Sequence, residues 1–168
     1  FAGRNIARLE KEAAEYIGVK HAVALSSGTA AMHMAVKLAA ERIYGSTSTI
    51  SAAGGLGKAG ALRGKRVFCS DFASSTMADA ILFEGGEPVF VDASDEDWSM
   101  DPEVLEIAFQ RYPDVKLVMM NHAYGFPGQI LRIKEICEAH GALLIEDASE
   151  SLGAKVCGKQ TGALNGRL

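Results

Sequence analysis

The sequence predicts an α/β fold: a mostly parallel sheet covered by helices on both faces, in three layers. Three observations carry this. Short, almost wholly apolar runs, such as Val67–Cys69, Lys116–Met120 and Ala142–Ala148, recur along the chain. Such runs belong to strands buried on both sides. Stretches with helical periodicity separate them, so strands and helices alternate five times. Polar residues then cluster where the runs end, and ligands of open α/β sheets sit outside the carboxyl ends of the strands.

Taken in order, Arg4 to Ile17 carries Ile6, Leu9, Ala13 and Ile17 on one helical face, and Gly18 stops that helix. Ala22–Leu25 reads as a strand, and Gly28 to about Arg42 as a helix with Met32, Ala35, Val36 and Ala39 inward. His33 in that helix reads as a packed or surface residue. Residues 45–64 mix six glycines with Ser, Thr and Ala and read as an insertion loop. Gly55-Leu56-Gly57 follows no predicted strand, so it lacks the setting of a nucleotide-binding glycine loop. Val67–Cys69 is a strand, Thr76–Phe83 a helix and Pro88–Asp92 a strand with its proline first. Asp101-Pro102-Glu103 has an N-cap, a proline at the first position and an acid in the first turn, which start a helix running to about Tyr112. Lys116–Met120 is a strand, Ile130–His140 a helix, and 142–148 a strand ending on carboxylates. Residues 154–161 form a small hairpin.

Composition narrows the function. The 168 residues carry 17 Lys and Arg against 21 Asp and Glu, a net charge of −4. No basic stripe points to nucleic acid, and no 18-residue apolar run points to a membrane span. Three cysteines without metal spacing fit a reducing cytoplasm and give no metal site. The chain begins at Phe1 rather than Met, as an excised piece of a longer protein does.

Two anchors carry the chemistry. Asp147 stands at a strand end, where a carboxylate either caps a turn or meets a ligand. Ser26-Ser27-Gly28-Thr29 turns a strand into a helix, and the open N–H groups and dipole of such a junction hold anions. A phosphate cradle paired with a buried carboxylate suits pyridoxal 5′-phosphate. Gly28 and Thr29 supply N–H groups, Ser27 and Thr29 supply hydroxyls, and Asp147 keeps the pyridine nitrogen protonated. The patterns of dinucleotide folds, P-loops and serine-hydrolase elbows are all absent at the relevant places.

The blocks Ser27-Gly28-Thr29-Ala30-Ala31-Met32-His33-Met34-Ala35, Gly85–Asp92, Trp98–Pro102, His122-Ala123-Tyr124-Gly125, Ile145–Ala154 and Gly158–Gly162 resemble, in order and at nearly constant spacing, those of the DegT/DnrJ/StrS sugar aminotransferases. The resemblance spans nearly the whole chain. It implies residues 1–168 as part of the large domain of an aspartate-aminotransferase-like enzyme of fold type I, without its C-terminal small domain. It further implies a homodimer that moves an amino group from an amino acid, glutamate in the usual case, to a keto sugar carried on a nucleotide. By position, Gly28 and Thr29 hold the cofactor phosphate, Asp147 bonds the ring nitrogen and Glu150 lies near the ring oxygen.

The sequence also departs from the family. Ser74 stands where the family has an aromatic that stacks on the cofactor, and Phe72 takes that role only if the loop shifts. Asp79 replaces a usual Asn. The resemblance places the Schiff-base lysine beyond Leu168, so the chain by itself is expected to be inactive. It also places two further strands between 22–25 and the Asp147 strand, which leaves an apolar edge here. The alternative is a non-catalytic remnant that binds only cofactor or a partner chain.

Overall fold

A computed structural model describes residues 3–45 and 60–164. The glycine-rich insertion therefore lies mostly outside the described residues. The helices are α1 (Arg4–Ile17), α2 (Gly28–Tyr44), α3 (Ser75–Phe83), α4 (Pro102–Arg111) and α5 (Ile130–Ala139). The strands are β1 (Arg66–Ser70), β2 (Glu87–Val91), β3 (Leu117–Asn121), β4 (Leu143–Asp147) and the short pair β5 (Lys155–Val156) and β6 (Lys159–Gln160).

Strands β2, β1, β3 and β4 lie side by side in that order, all parallel. Side chains alternate across a strand, so each strand feeds two cores. Val67, Cys69, Leu117, Met119 and Ile145 pack under α2 and α3. Phe68, Val118, Met120 and Leu144 pack under α4 and α5. The three-layer expectation holds, and it explains why the strands read as apolar runs rather than alternations. Phe68 meets Phe109 of α4 edge to face, with centroids 4.9 Å apart, and His140 stacks on Phe109 at 4.2 Å.

Local chemistry sets the helix ends. The Asp101 side chain accepts the N–H groups of Glu103 and Val104 at 2.7 and 3.3 Å, with Pro102 at the first helical position. Gly18 closes α1 at φ 82°, where its N–H reaches the Ala14 carbonyl at 2.9 Å. Gly60 is packed against the backbone of Glu84, and a methyl group there would overlap the Glu84 carbonyl. The Glu84 side chain holds the same turn. Its two oxygens take the Ala61 N–H at 3.1 Å and His33 Nε2 at 2.7 Å, which ties the half-exposed His33 to that turn.

Residues 22–25 depart from expectation, because they form no strand. A strand exists only as part of a ladder, and no described strand lies alongside this segment. The Ala24 N–H goes instead to Glu10 Oε1 at 2.9 Å, and Val23 and Leu25 are exposed. Among the described residues the parallel sheet thus has four strands, not five. Between residues 17–22 and the open edge of β4 lies a groove of about 500 Å³. Helix α1 likewise keeps Ile6 and Leu9 exposed. No described helix is long and apolar enough to cross a membrane.

Burial divides the cysteines. The Cys69 and Cys137 thiols lie in the two cores, and desolvation pushes each up to about 12, while Cys157 is exposed at the hairpin tip. Since the thiolate is the reacting form, a thiol reagent at pH 8 should titrate one cysteine in the native chain and all three after denaturation. Rapid reaction of three in the native chain contradicts the packing described.

Candidate active site

The sheet sets the position of the site. Strand β1 leads through α3 to β2 on one side, whereas β3 lies on its other side, so the strand order reverses between β1 and β3. Crevices at such switch points, outside the carboxyl ends of the strands, are where open α/β sheets bind ligands. The residues gathered there are Asp71 and Phe72 after β1, Asn121 at the end of β3 and Asp147 beside it at the end of β4. Asn121 and Asp147 are register partners.

Two neighbouring recesses result. The first, of about 490 Å³, has Gly28, Thr29 and Met32 of α2 on one wall, Ser74 and Thr76 on another, and Asp147 and Ser149 on the third. Ser27 caps α2 by accepting the Ala30 N–H at 3.2 Å, with extended backbone at φ −161°. That cap leaves the N–H groups of Gly28 and Thr29 at the mouth of the helix, where the dipole favours an anion. Asp147 Oδ1 accepts both the N–H and the hydroxyl of Ser149, at 3.0 and 2.6 Å. Those two bonds fix the carboxylate plane, and Oδ2 remains for a partner. Gly28, Thr29 and Asp147, which the sequence singles out, therefore line one recess, with Ser27 behind them as the cap of α2.

The second recess, of about 250 Å³, lies against the first, and Ser74 lines both. Its walls are Asp71, Phe72, Asn121, Tyr124 and Glu150. The structure does not bring Phe72 to the cradle. The Phe72 carbonyl accepts Asn121 Nδ2 at 3.0 Å, and the Asp71 N–H is tied to the Val91 carbonyl at 3.1 Å, so the loop holds its ring in the second recess. Ser74 occupies the cradle wall and caps α3, with its Oγ accepting from Thr76. Glu150 also stands in the second recess, where Oε2 accepts the Tyr124 N–H at 2.7 Å. Asp79 is half-buried in α3. Lys155 and Lys159 are exposed on the hairpin and line a separate recess beside Tyr16 and Gly18. Partial desolvation at the strand end, and then a hydrogen bond shared with Asp92, raise the Asp71 carboxyl above the usual carboxylate range.

Sequence reasoning missed the support beneath Asp147. Glu146 points into the protein with its side chain 3 % exposed, and its Oε2 meets His122 Nε2 at 3.3 Å and the Gly162 N–H at 2.9 Å. The His122 N–H donates to the Asp147 carbonyl at 3.0 Å. Glu146 directly precedes Asp147, and alternation along the strand turns one carboxylate inward and the other toward the recess. That Glu-Asp pair at a strand end was the readable signal.

The conserved-family model for DegT/DnrJ/EryC1/StrS aminotransferases matches residues 1–166. The chain belongs to this family. It is 33% identical over 162 residues to GDP-perosamine synthase of Caulobacter vibrioides, a match covering 96% of this chain and 38% of that protein. It is 31% identical over 155 residues to a UDP-N-acetyl-3-dehydro-alpha-D-glucosamine 3-aminotransferase of Acidithiobacillus ferrooxidans, covering 92% and 36%. The chain thus spans little more than a third of the length of these curated relatives. Among solved structures, NtdA of Bacillus subtilis with bound cofactor PMP superimposes with a TM-score of 0.73 at 26% identity, covering 95% of this chain and 32% of that one.

Glu146 should matter to stability out of proportion to its size. Leaving a buried hydrogen-bond partner unsatisfied costs about 1–3 kcal/mol for each group, so Glu146→Ala, which strips both His122 and Gly162 of their partner, should lower the urea-unfolding free energy by about 3 kcal/mol. Glu146→Gln, which keeps an acceptor for Gly162, should lose about half as much. Equal and small losses for both variants contradict the bridging role.

Proposed function

We propose that this chain forms the cofactor-holding part of a pyridoxal-phosphate-dependent aminotransferase that passes an amino group from an amino acid, glutamate in the usual case, to a nucleotide-linked keto sugar. One observation carries the proposal: the open N-terminus of α2 and the Asp147 carboxylate line the same recess. The cofactor has a dianionic phosphate at one end and a basic ring nitrogen at the other, and this donor set fits both. The sugar substrate rests on the relatives, whose names state amino-sugar chemistry on GDP- and UDP-linked sugars.

In this reading each residue has a task. The Gly28 and Thr29 N–H groups, with the Ser27 and Thr29 hydroxyls, hold the phosphate against the helix dipole. Asp147 holds the proton on the ring nitrogen, and Ser149 keeps the carboxylate turned to receive it. When bound, the cofactor supplies a protonated ring that draws electrons from the reacting carbon. Ser74 gives that wall of the recess a small polar face, so affinity rests on phosphate and carboxylate rather than on ring stacking. Glu150, held by the Tyr124 N–H, stands across Ser74 from the cradle, at the edge nearest the ring oxygen in this reading. No lysine lines the cradle among the described residues, so this chain tested alone should bind the cofactor without completing a turnover.

The exposed stripe of α1, Ile6 and Leu9, supports a homodimer of the full-length protein. The three free thiols support a reducing compartment, the cytoplasm.

Pyridoxamine 5′-phosphate tests the site without condensing on surface lysines. It should protect the chain against thermal unfolding in a saturable manner. Asp147→Asn, which keeps shape and loses charge, should weaken that binding about tenfold or more, because a hydrogen bond to a charged group contributes about 1.5–3 kcal/mol. Protection that is absent, or unchanged in the variant, overturns the proposal. A folded chain that fails to bind favours the remnant reading.

A further inference from the structure

The first turn of α2 carries the anion cradle, yet little packs against it. Gly28, Thr29 and Ala31 are exposed and Ala30 is half-buried, because this turn borders the open recess. Burial begins at Met32 and continues through Val36, Ala39 and Ala40. The two alanines interlock little with their neighbours, and apolar burial is non-directional. Such packing keeps the helix against the core without fixing where it stands along its own axis. A cradle of N–H donors needs that position fixed, since positioned groups lose much of their effect when displaced by about 1 Å.

One directional contact lies close by. His33 follows Met32 directly and stands about 7.5 Å along the helix from Gly28. Its Nε2 meets Glu84 Oε1 at 2.7 Å, and its ring meets Phe83 edge to face with centroids 5.4 Å apart. Glu84 is buried and firmly held in turn. The Leu62 N–H donates to its carbonyl at 3.0 Å, the Ala61 N–H donates to Oε2 at 3.1 Å, and Gly60 packs against its backbone. Beyond it the Gly86 N–H closes onto the Ile81 carbonyl at 2.9 Å, which fixes the end of α3. Lys37, one turn after His33, joins the same cluster. Glu41 at 3.0 Å, and after it Glu84, hold the Lys37 ammonium above the usual lysine range.

Neither His33 nor Glu84 lines either recess, so the pair does not touch a ligand there. Stability alone does not call for it, because an apolar pair of similar shape at a helix contact is close to neutral or better. What the polar pair adds is direction. We propose that His33 is a positioning residue: its bond to Glu84 sets where α2 stands along its axis and so aims the Gly28 and Thr29 N–H groups into the recess. The inference rests on the cofactor reading for what the cradle holds, and on the bond itself for the order of the first turn.

Three substitutions separate the bond from the packing. His33→Gln places an amide nitrogen near the position of Nε2 and keeps the bond. His33→Phe keeps a ring beside Phe83 and removes the donor. Leu38→Ala alters an exposed position of the same helix and serves as the control. Each is read well below its unfolding temperature, first as affinity for pyridoxamine 5′-phosphate. The second reading, without ligand, is hydrogen exchange at Ala31, whose N–H donates to the Ser27 carbonyl at 3.0 Å, against Ala39 and Ala40 in the packed part. His33→Phe should weaken cofactor binding about fivefold and speed exchange at Ala31 by about as much, with Ala39 and Ala40 little changed. His33→Gln and Leu38→Ala should stay within about twofold of the parent on both readings. If His33→Phe does not fold, His33→Asn, too short to reach Glu84, takes its place with the same expectations. A lower melting temperature with parental affinity and parental exchange at Ala31 overturns the inference and leaves the bond a stabilising contact only. Exchange that rises equally at Ala31, Ala39 and Ala40 overturns it as well, and so does a loss that His33→Gln shares. A parent chain that does not bind pyridoxamine 5′-phosphate removes the cofactor reading, and exchange at Ala31 still decides the role of His33.

Discussion

The buried contact of Glu146 with His122 and Gly162 is the constraint on which the site depends. One carboxylate oxygen joins the end of β4 to the loop after β3 and to the turn after the C-terminal hairpin. Such a side chain is costly to bury unless its partners are in place. The three segments must therefore assemble together, and Asp147 follows directly in sequence. Its carbonyl is held by His122 and its carboxylate by Ser149. The role proposed for Asp147, meeting a ring nitrogen within hydrogen-bond range, needs this kind of support, because catalytic groups tolerate little displacement.

The parallel sheet does the rest of the positioning. Since β1, β3 and β4 point the same way, their polar ends gather on one rim, and the helices following β1 and β2 pack on opposite faces. A crevice opens between those two crossovers. Its chemistry is divided. The α2 side presents N–H donors and attracts anions, and the β1–β3 side presents carboxylates and aromatic rings. An anion is drawn to the α2 side and repelled from the other by that difference alone.

Much of this was legible in the sequence because local signals agreed with the global fold. The Asp101-Pro102-Glu103 helix start, the Gly18 stop and the apolar runs of β1, β3 and β4 each follow from short-range physics. Residues 22–25 show the limit. An apolar run states that a segment can be a strand, but a strand also needs a neighbour, and no described strand supplies one. Phe72 and Ser74 show another. Counting put Ser74 at the position of the family's stacking aromatic, and the structure sets it between the two recesses, but which way the Phe72 ring turns depends on Asn121, 49 residues away. The left-handed backbones of Trp98 and Tyr124 were beyond reach for the same reason, since each is held by tertiary contacts rather than by a glycine.

The most direct test of the central claim is the amide NMR spectrum of the chain as pyridoxamine 5′-phosphate is added, with inorganic phosphate as the control. The account predicts that the Gly28 and Thr29 amides shift with either ligand, whereas those of Asp147 and Ser149 shift only with the cofactor. Shifts confined to the exposed lysines of the hairpin, or a response at α2 with none at the end of β4, contradict it.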